Sequence, residues 1–143
     1  IDSIKISKPD KLKAVNIKTQ GYPGFPTDLQ QPMCALLTRA KGKSIINETI
    51  YENRFLNLKE FNKMGAITEL LTNQKAVIVG PSKLTGKTVN ATDLRAGASL
   101  VLMGLVAEGK TIINNADYIL RGYENIVEKL QNVGAKISIE EIE

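Results

Sequence analysis

A chain of 143 residues has the length of one ordinary domain with a true hydrophobic core, and at 43% hydrophobic and 24% charged residues it has the composition of a soluble globular protein. It has no histidine and a single cysteine, Cys34, which excludes an internal disulfide framework, most transition-metal sites and every triad built on histidine. The net charge of +4 admits an anionic partner, but no Lys/Arg run is interleaved with aromatics, no apolar run approaches the roughly 18 residues of a membrane span, and the opening IDSIKISKPD carries no signal peptide, so the expectation is a cytoplasmic protein without nucleic acid or membrane.

The first informative stretch is GYPGFPTDLQQP, Gly21 to Pro32. Pro23 and Pro26 fix their own φ and push the preceding residues toward extended geometry, so the loop is stiff where it reaches Asp28. TDLQ reads as a capping box, Thr27 with Gln30, and Pro32 is tolerated in the first helical turn. Leu29, Met33, Leu36, Leu37 and Ala40 then line one face of a helix ending near Gly42. A β-branched strand SIIN follows, then a helix carrying Leu58, Phe61 and Met64 that closes at Gly65, then strands AITELL and KAVIVG. The next loop, to Gly86-Lys87-Thr88, imitates a phosphate-binding loop but has five residues between Gly80 and Gly86 where four are needed; it predicts a hairpin with a Gly-Lys turn leading into the strand TVN.

The same order then repeats. Leu94, Ala98, Val101, Leu102 and Leu105 copy the first helical face; TIIN follows near Gly109, then a helix with Tyr123, Ile126, Val127, Leu130 and Val133 closing at Gly134, and a strand AKISIEE. GKSIIN is echoed by GKTIIN, TDL by TDL, Arg54 by Arg121 and Met64-Gly65-Ala66 by Val133-Gly134-Ala135, at an interval of about 66 residues, too long for the common solenoids. The expectation is a duplicated unit, pseudo-repeats about 1–80 and 81–143, in an α/β or α+β fold that packs helices on sheets.

Asp28 and Asp93 both stand at helix starts, where a carboxylate offsets the macrodipole by about 0.3–1 kcal/mol without further function. Arg95 has the opposite sign for that position, which makes sense where an anion binds beside free helix N–H groups. Arg54 and Arg121 hold corresponding places ahead of the second helix of each unit; as surface arginines they need only be solvated, but equivalent loops gathered on one rim would bring three guanidiniums to the two aspartates, a set suited to a substrate with carboxylate and phosphate. Cys34 falls in the apolar region of its helix and reads as core rather than nucleophile. Tyr22, Phe25 and Tyr51 either wall a pocket or pack.

PGFPTDLQ, ETIYENRF, ATDLRAGASLVLMGLVAEG and RGYENIVEKLQNVGA closely resemble the C-terminal third of the bacterial UDP-N-acetylglucosamine enolpyruvyl transferases, also called UDP-N-acetylglucosamine 1-carboxyvinyltransferases, nearly continuously from Gly21 onward. The related 5-enolpyruvylshikimate-3-phosphate synthases share the fold and match these motifs poorly. The resemblance implies transfer of enolpyruvyl from phosphoenolpyruvate to the sugar 3-hydroxyl with release of phosphate, the first committed step of peptidoglycan synthesis, without cofactor or metal. It implies an inside-out α/β barrel of βαβαββ units, of which this chain holds two of one domain's three, with the missing N-terminal part as partner across the active site. Asp28 then corresponds to the general base on the 3-hydroxyl and Ile50 to a backbone contact of the UDP-sugar. Asp93, Arg95 and Arg121 correspond to residues around phosphoenolpyruvate, with Asp93 and Arg121 counted as catalytic, and Glu52 and Arg54 line the same rim. Cys34 does not match the family's mobile-loop cysteine, and the chain, starting at Ile1 without methionine, is expected to be a fragment inactive alone. The alternative is a non-catalytic anion- or RNA-binding module built on the duplicated unit.

Overall fold

The computed structural model describes residues 2–141; Ile1 and residues 142–143 of the expected repeats lie outside them. Strand β1 (Ile17–Lys18), helix α1 (Gln30–Leu37) and strand β2 (Gly42–Asn47) make a crossover in which β1 and β2 pair in parallel, Ile17 opposite Ile46. Helix α2 (Leu58–Lys63) leads to a hairpin of β3 (Ile67–Thr72) and β4 (Lys75–Gly80), and β4 pairs antiparallel with β2, giving a sheet ordered β1-β2-β4-β3. A second crossover, β5 (Thr88–Asn90), α3 (Leu94–Val106) and β6 (Ile112–Asn114), forms a separate parallel pair, followed by α4 (Asp117–Leu120) and α5 (Ile126–Asn132).

The four glycines expected to end the helical segments, Gly42, Gly65, Gly109 and Gly134, have φ of +121°, +94°, +88° and +95°, a region that side chains rarely enter. Between the sheets, α1 lies against α3, and one core joins Cys34, Leu37, Ile46, Phe61, Met64, Ile78, Leu84, Leu100 and Met103.

Four expectations need correction. No capping box forms: Thr27–Leu29 is a 3-10 turn, the Thr27 hydroxyl donates to Glu48, and Gln30 is buried with its amide 3.5 Å from Cys34 Sγ. A buried carboxylate needs donors more urgently than a helix end open to water, so Thr27 turns inward. The apolar faces hold only in part: Leu37, Ala40, Ala98 and Val101 are buried as expected, whereas Leu29, Leu36, Leu102 and Leu105 are partly exposed, and Gln31, Cys34 and Ala35 on α1 and Ala96, Gly97, Leu100 and Met103 on α3 are buried as well. KAVIVG and TVN do not form a hairpin, since β4 pairs with β2 and β3, and β5 with β6; Gly86 N–H donates to Glu108 O, and a Cβ at Gly86 would strike the Lys110 carbonyl. Finally, AKISIEE has no ladder partner among the described residues and is not a strand; Gln131 Nε2 to Ile137 O (2.6 Å) and a Lys110–Glu140 pair (3.0 Å) hold it along an open cleft.

Candidate active site

Three loops at the N-terminal end of α3 carry the site. Asp28 projects from the 3-10 turn ahead of α1, and its Oδ1 receives Arg95 Nε at 2.7 Å and Nη2 at 2.6 Å, with Arg54 Nη1 at 3.6 Å. The Asp28 side chain is 64% exposed, Arg95 31% and Arg54 17%, so the pairs are partly screened and each contributes at most about 1 kcal/mol to stability. Among the described residues no hydrogen bond occupies Asp28 Oδ2.

Arg95 reaches Asp28 because Asp93 anchors its backbone. Asp93 caps α3 through Oδ1, accepting Arg95 N–H at 2.8 Å and Ala96 N–H at 2.9 Å. The helix N–H groups expected to hold an anion with Arg95 are therefore partly taken by Asp93, and the anion on the guanidinium is Asp28. Arg54 is fixed from two sides: Nη1 lies 3.3 Å from Thr27 Oγ1, and the guanidinium sits 4.3 Å from the centre of the Tyr51 ring. Asn53 just before it takes a left-handed φ of 58°, and Glu52 is exposed.

Ile50 N–H donates to Glu48 Oε1 at 2.8 Å, so a ligand contact to the Ile50 backbone falls to its carbonyl. Arg121 ends α4, with Nε 3.3 Å from Asp117 O and its guanidinium 5.3 Å from the Tyr118 ring centre. It makes no contact with Asp28 or Arg95, but the following Gly122 is pressed on Leu94, the first residue of α3, which places Arg121 at the same helix end as Arg95. Phe25 is half-buried, Tyr22 is fully exposed and Tyr51 stacks on Arg54. Cys34 is buried in the core. The residue that sequence reasoning missed is Glu48: an acid directly after an apolar strand has the pattern of a solvated loop, yet it is fully buried.

The described residues include no cluster of three or more His, Cys, Asp or Glu able to hold a metal, and no helix long and apolar enough to cross a membrane. The site is one carboxylate flanked by two guanidiniums on an α/β frame with two parallel crossovers. Residues 2–130 match the family model described as EPSP synthase (3-phosphoshikimate 1-carboxyvinyltransferase), and the chain belongs to that family. It is 55% identical to UDP-N-acetylglucosamine 1-carboxyvinyltransferase 2 of Listeria monocytogenes serovar 1/2a and 52% identical to UDP-N-acetylglucosamine 1-carboxyvinyltransferase of Halothermothrix orenii, in each case over 96% of this chain and 32% of the relative. Among solved structures, the enolpyruvyl transferase NikO from Streptomyces tendae superposes with a TM-score of 0.82 at 30% identity, over 90% of this chain and 30% of that one. The chain thus spans about a third of the length of the curated relatives it matches.

Proposed function

We propose that this chain forms the Asp28–Arg95 wall of a UDP-N-acetylglucosamine 1-carboxyvinyltransferase, moving enolpyruvyl from phosphoenolpyruvate to the sugar 3-hydroxyl in the cytoplasm. The observation that carries it is the clamp on Asp28: both guanidiniums hold Oδ1, which orients the carboxylate and leaves Oδ2 to accept a proton from a hydroxyl. Arg95 and Arg54 supply charge for the phosphate and carboxylate of phosphoenolpyruvate, and Arg121 joins them from the end of α4. Asp93 acts in the same site by capping α3 and holding Arg95 in reach, while Ile50 offers its carbonyl to the sugar nucleotide. An arriving anion competes with Asp28 for Arg95, which frees the carboxylate as a base when substrate is present. No cofactor is needed for this chemistry. The same proposal takes the chain as part of one domain made of repeats about 1–80 and 81–143, supported by the matched left-handed glycines and the two parallel crossovers.

The test uses a protein of the relatives' full length carrying this sequence, incubated with both substrates while phosphate release is followed. The wild type should turn over, and D28N should lose about 10²–10⁴-fold in kcat, the usual contribution of a positioned base. A folded wild type that releases no phosphate overturns the proposal.

A further inference from the structure

Glu48 follows the last residue of β2 and is wholly buried. No lysine or arginine pairs with it among the described residues. Its hydrogen bonds come from neutral donors: the Thr19 hydroxyl (2.9 Å), Ile50 N–H (2.8 Å) and Tyr51 N–H (3.1 Å) on Oε1, and the Thr27 hydroxyl (2.9 Å) on Oε2. Removing a carboxylate from water is expensive, and an apolar side chain of similar volume often stabilises a core at least as well. Stability alone therefore gives a weak reason for an acid here.

The donors are more informative, because they belong to the loops of the candidate site. Oε2 grips Thr27, the residue immediately before Asp28, while Oε1 grips Ile50 and Tyr51, whose ring underlies Arg54. The polarity of the network is fixed as well. Thr27 Oγ1 accepts from Arg54 Nη1 at 3.3 Å, and Thr19 Oγ1 accepts from Thr49 N–H at 2.8 Å, so each hydroxyl has its one proton to give to Glu48. A carboxylate can accept all four bonds; a carboxamide can accept at most the three on one oxygen.

We infer that Glu48 is a positioning residue that locks the Asp28 loop in register with the Ile50–Arg54 loop, Thr27 being the link. For the reaction it serves, this rests on the function proposed above; for the lock itself it rests on the hydrogen bonds alone. T27V cuts the Asp28 arm together with the Arg54 Nη1 contact to Oγ1, T27S keeps the hydroxyl, and E48A removes both arms. In the full-length protein T27V should lower kcat by about tenfold or more with the sugar-nucleotide KM nearly unchanged, T27S should recover most of it, and E48A should also raise that KM several-fold, since small displacements of a reacting group cost rate steeply. Independently of turnover, amide hydrogen exchange at Ile50 and Tyr51 should quicken in E48A and stay slow in T27V. Unchanged kcat in folded T27V, or unchanged exchange in E48A, overturns the inference. If E48A does not fold, the contrast of T27V with T27S decides. An inactive wild type sinks the proposed reaction, and the exchange data still decide the lock.

Discussion

Cys34 is the only thiol in the chain, and its surroundings make it inert. Burial pushes its pKa far above the ordinary thiol range; a backbone hydrogen bond offsets part of that, and the nearby Glu48 charge pushes it up again. The native protein should therefore react with iodoacetamide orders of magnitude more slowly than the urea-unfolded chain, and comparable rates would show that the thiol is accessible. The same residue shows how far sequence reading reaches. That Cys34 belongs to the core follows from helical spacing, which is local information. That Arg95 answers to Asp28 does not, because the two meet only once α1 and α3 pack, and the charge of Arg95 beside a helix start points to an anion without saying which. Glu48 was illegible for the same reason, since its partners Thr19 and Thr27 are remote in sequence and only the fold brings them around it.

Helix α2 and strand β5 are joined by Glu60, whose Oε2 accepts Asn90 N–H at 2.9 Å and whose Oε1 takes Lys63 Nζ at 2.6 Å. Burial raises its pKa, but the Lys63 hydrogen bond, the Asn90 N–H and the Lys63 charge outweigh it, and the net direction is down. A carboxylate with a depressed folded pKa contributes stability that is present above its unfolded pKa and lost as pH falls through the folded value. E60Q should thus be less stable than wild type by about 1–3 kcal/mol at neutral pH, the price of a weakened buried partner, with the gap shrinking as pH falls through and below the usual carboxylate range. Urea titrations at several pH values measure it, and a gap that widens in acid would contradict the sign. The helices and turns themselves were legible where a local rule decides them: four glycines mark the ends, and SIIN and TIIN supply β-branched strands at β2 and β6. Local rules failed where a partner decides. AKISIEE has the pattern of a strand and no ladder to join among the described residues, and Leu29, Leu36, Leu102 and Leu105 stay partly exposed although they share the faces that bury Leu37, Ala40, Ala98 and Val101.

The chain as it stands leaves its reactive groups and much apolar surface open. Asp28 is 64% exposed, and Leu105 and Ile112 remain partly exposed beside an open cleft of about 1110 Å³ that Val101, Ile137 and Ile139 also line. A carboxylate in such a position acts through water, and a substrate held by one wall keeps most of the freedom that a closed site removes. The 143-residue chain alone should accordingly release no phosphate from phosphoenolpyruvate and UDP-N-acetylglucosamine, although it carries Asp28 and all three arginines. On the function proposed above, adding, as a separate polypeptide, the other two thirds of a protein of the relatives' length should give turnover, because a second wall would exclude water and fix the sugar nucleotide over Asp28 Oδ2. Phosphate release by the chain alone would mean that this single wall orients both substrates. Activity that appears only on recombination, and disappears again with D28N in the small chain, would assign the proton acceptor to this wall and the remaining contacts to the other.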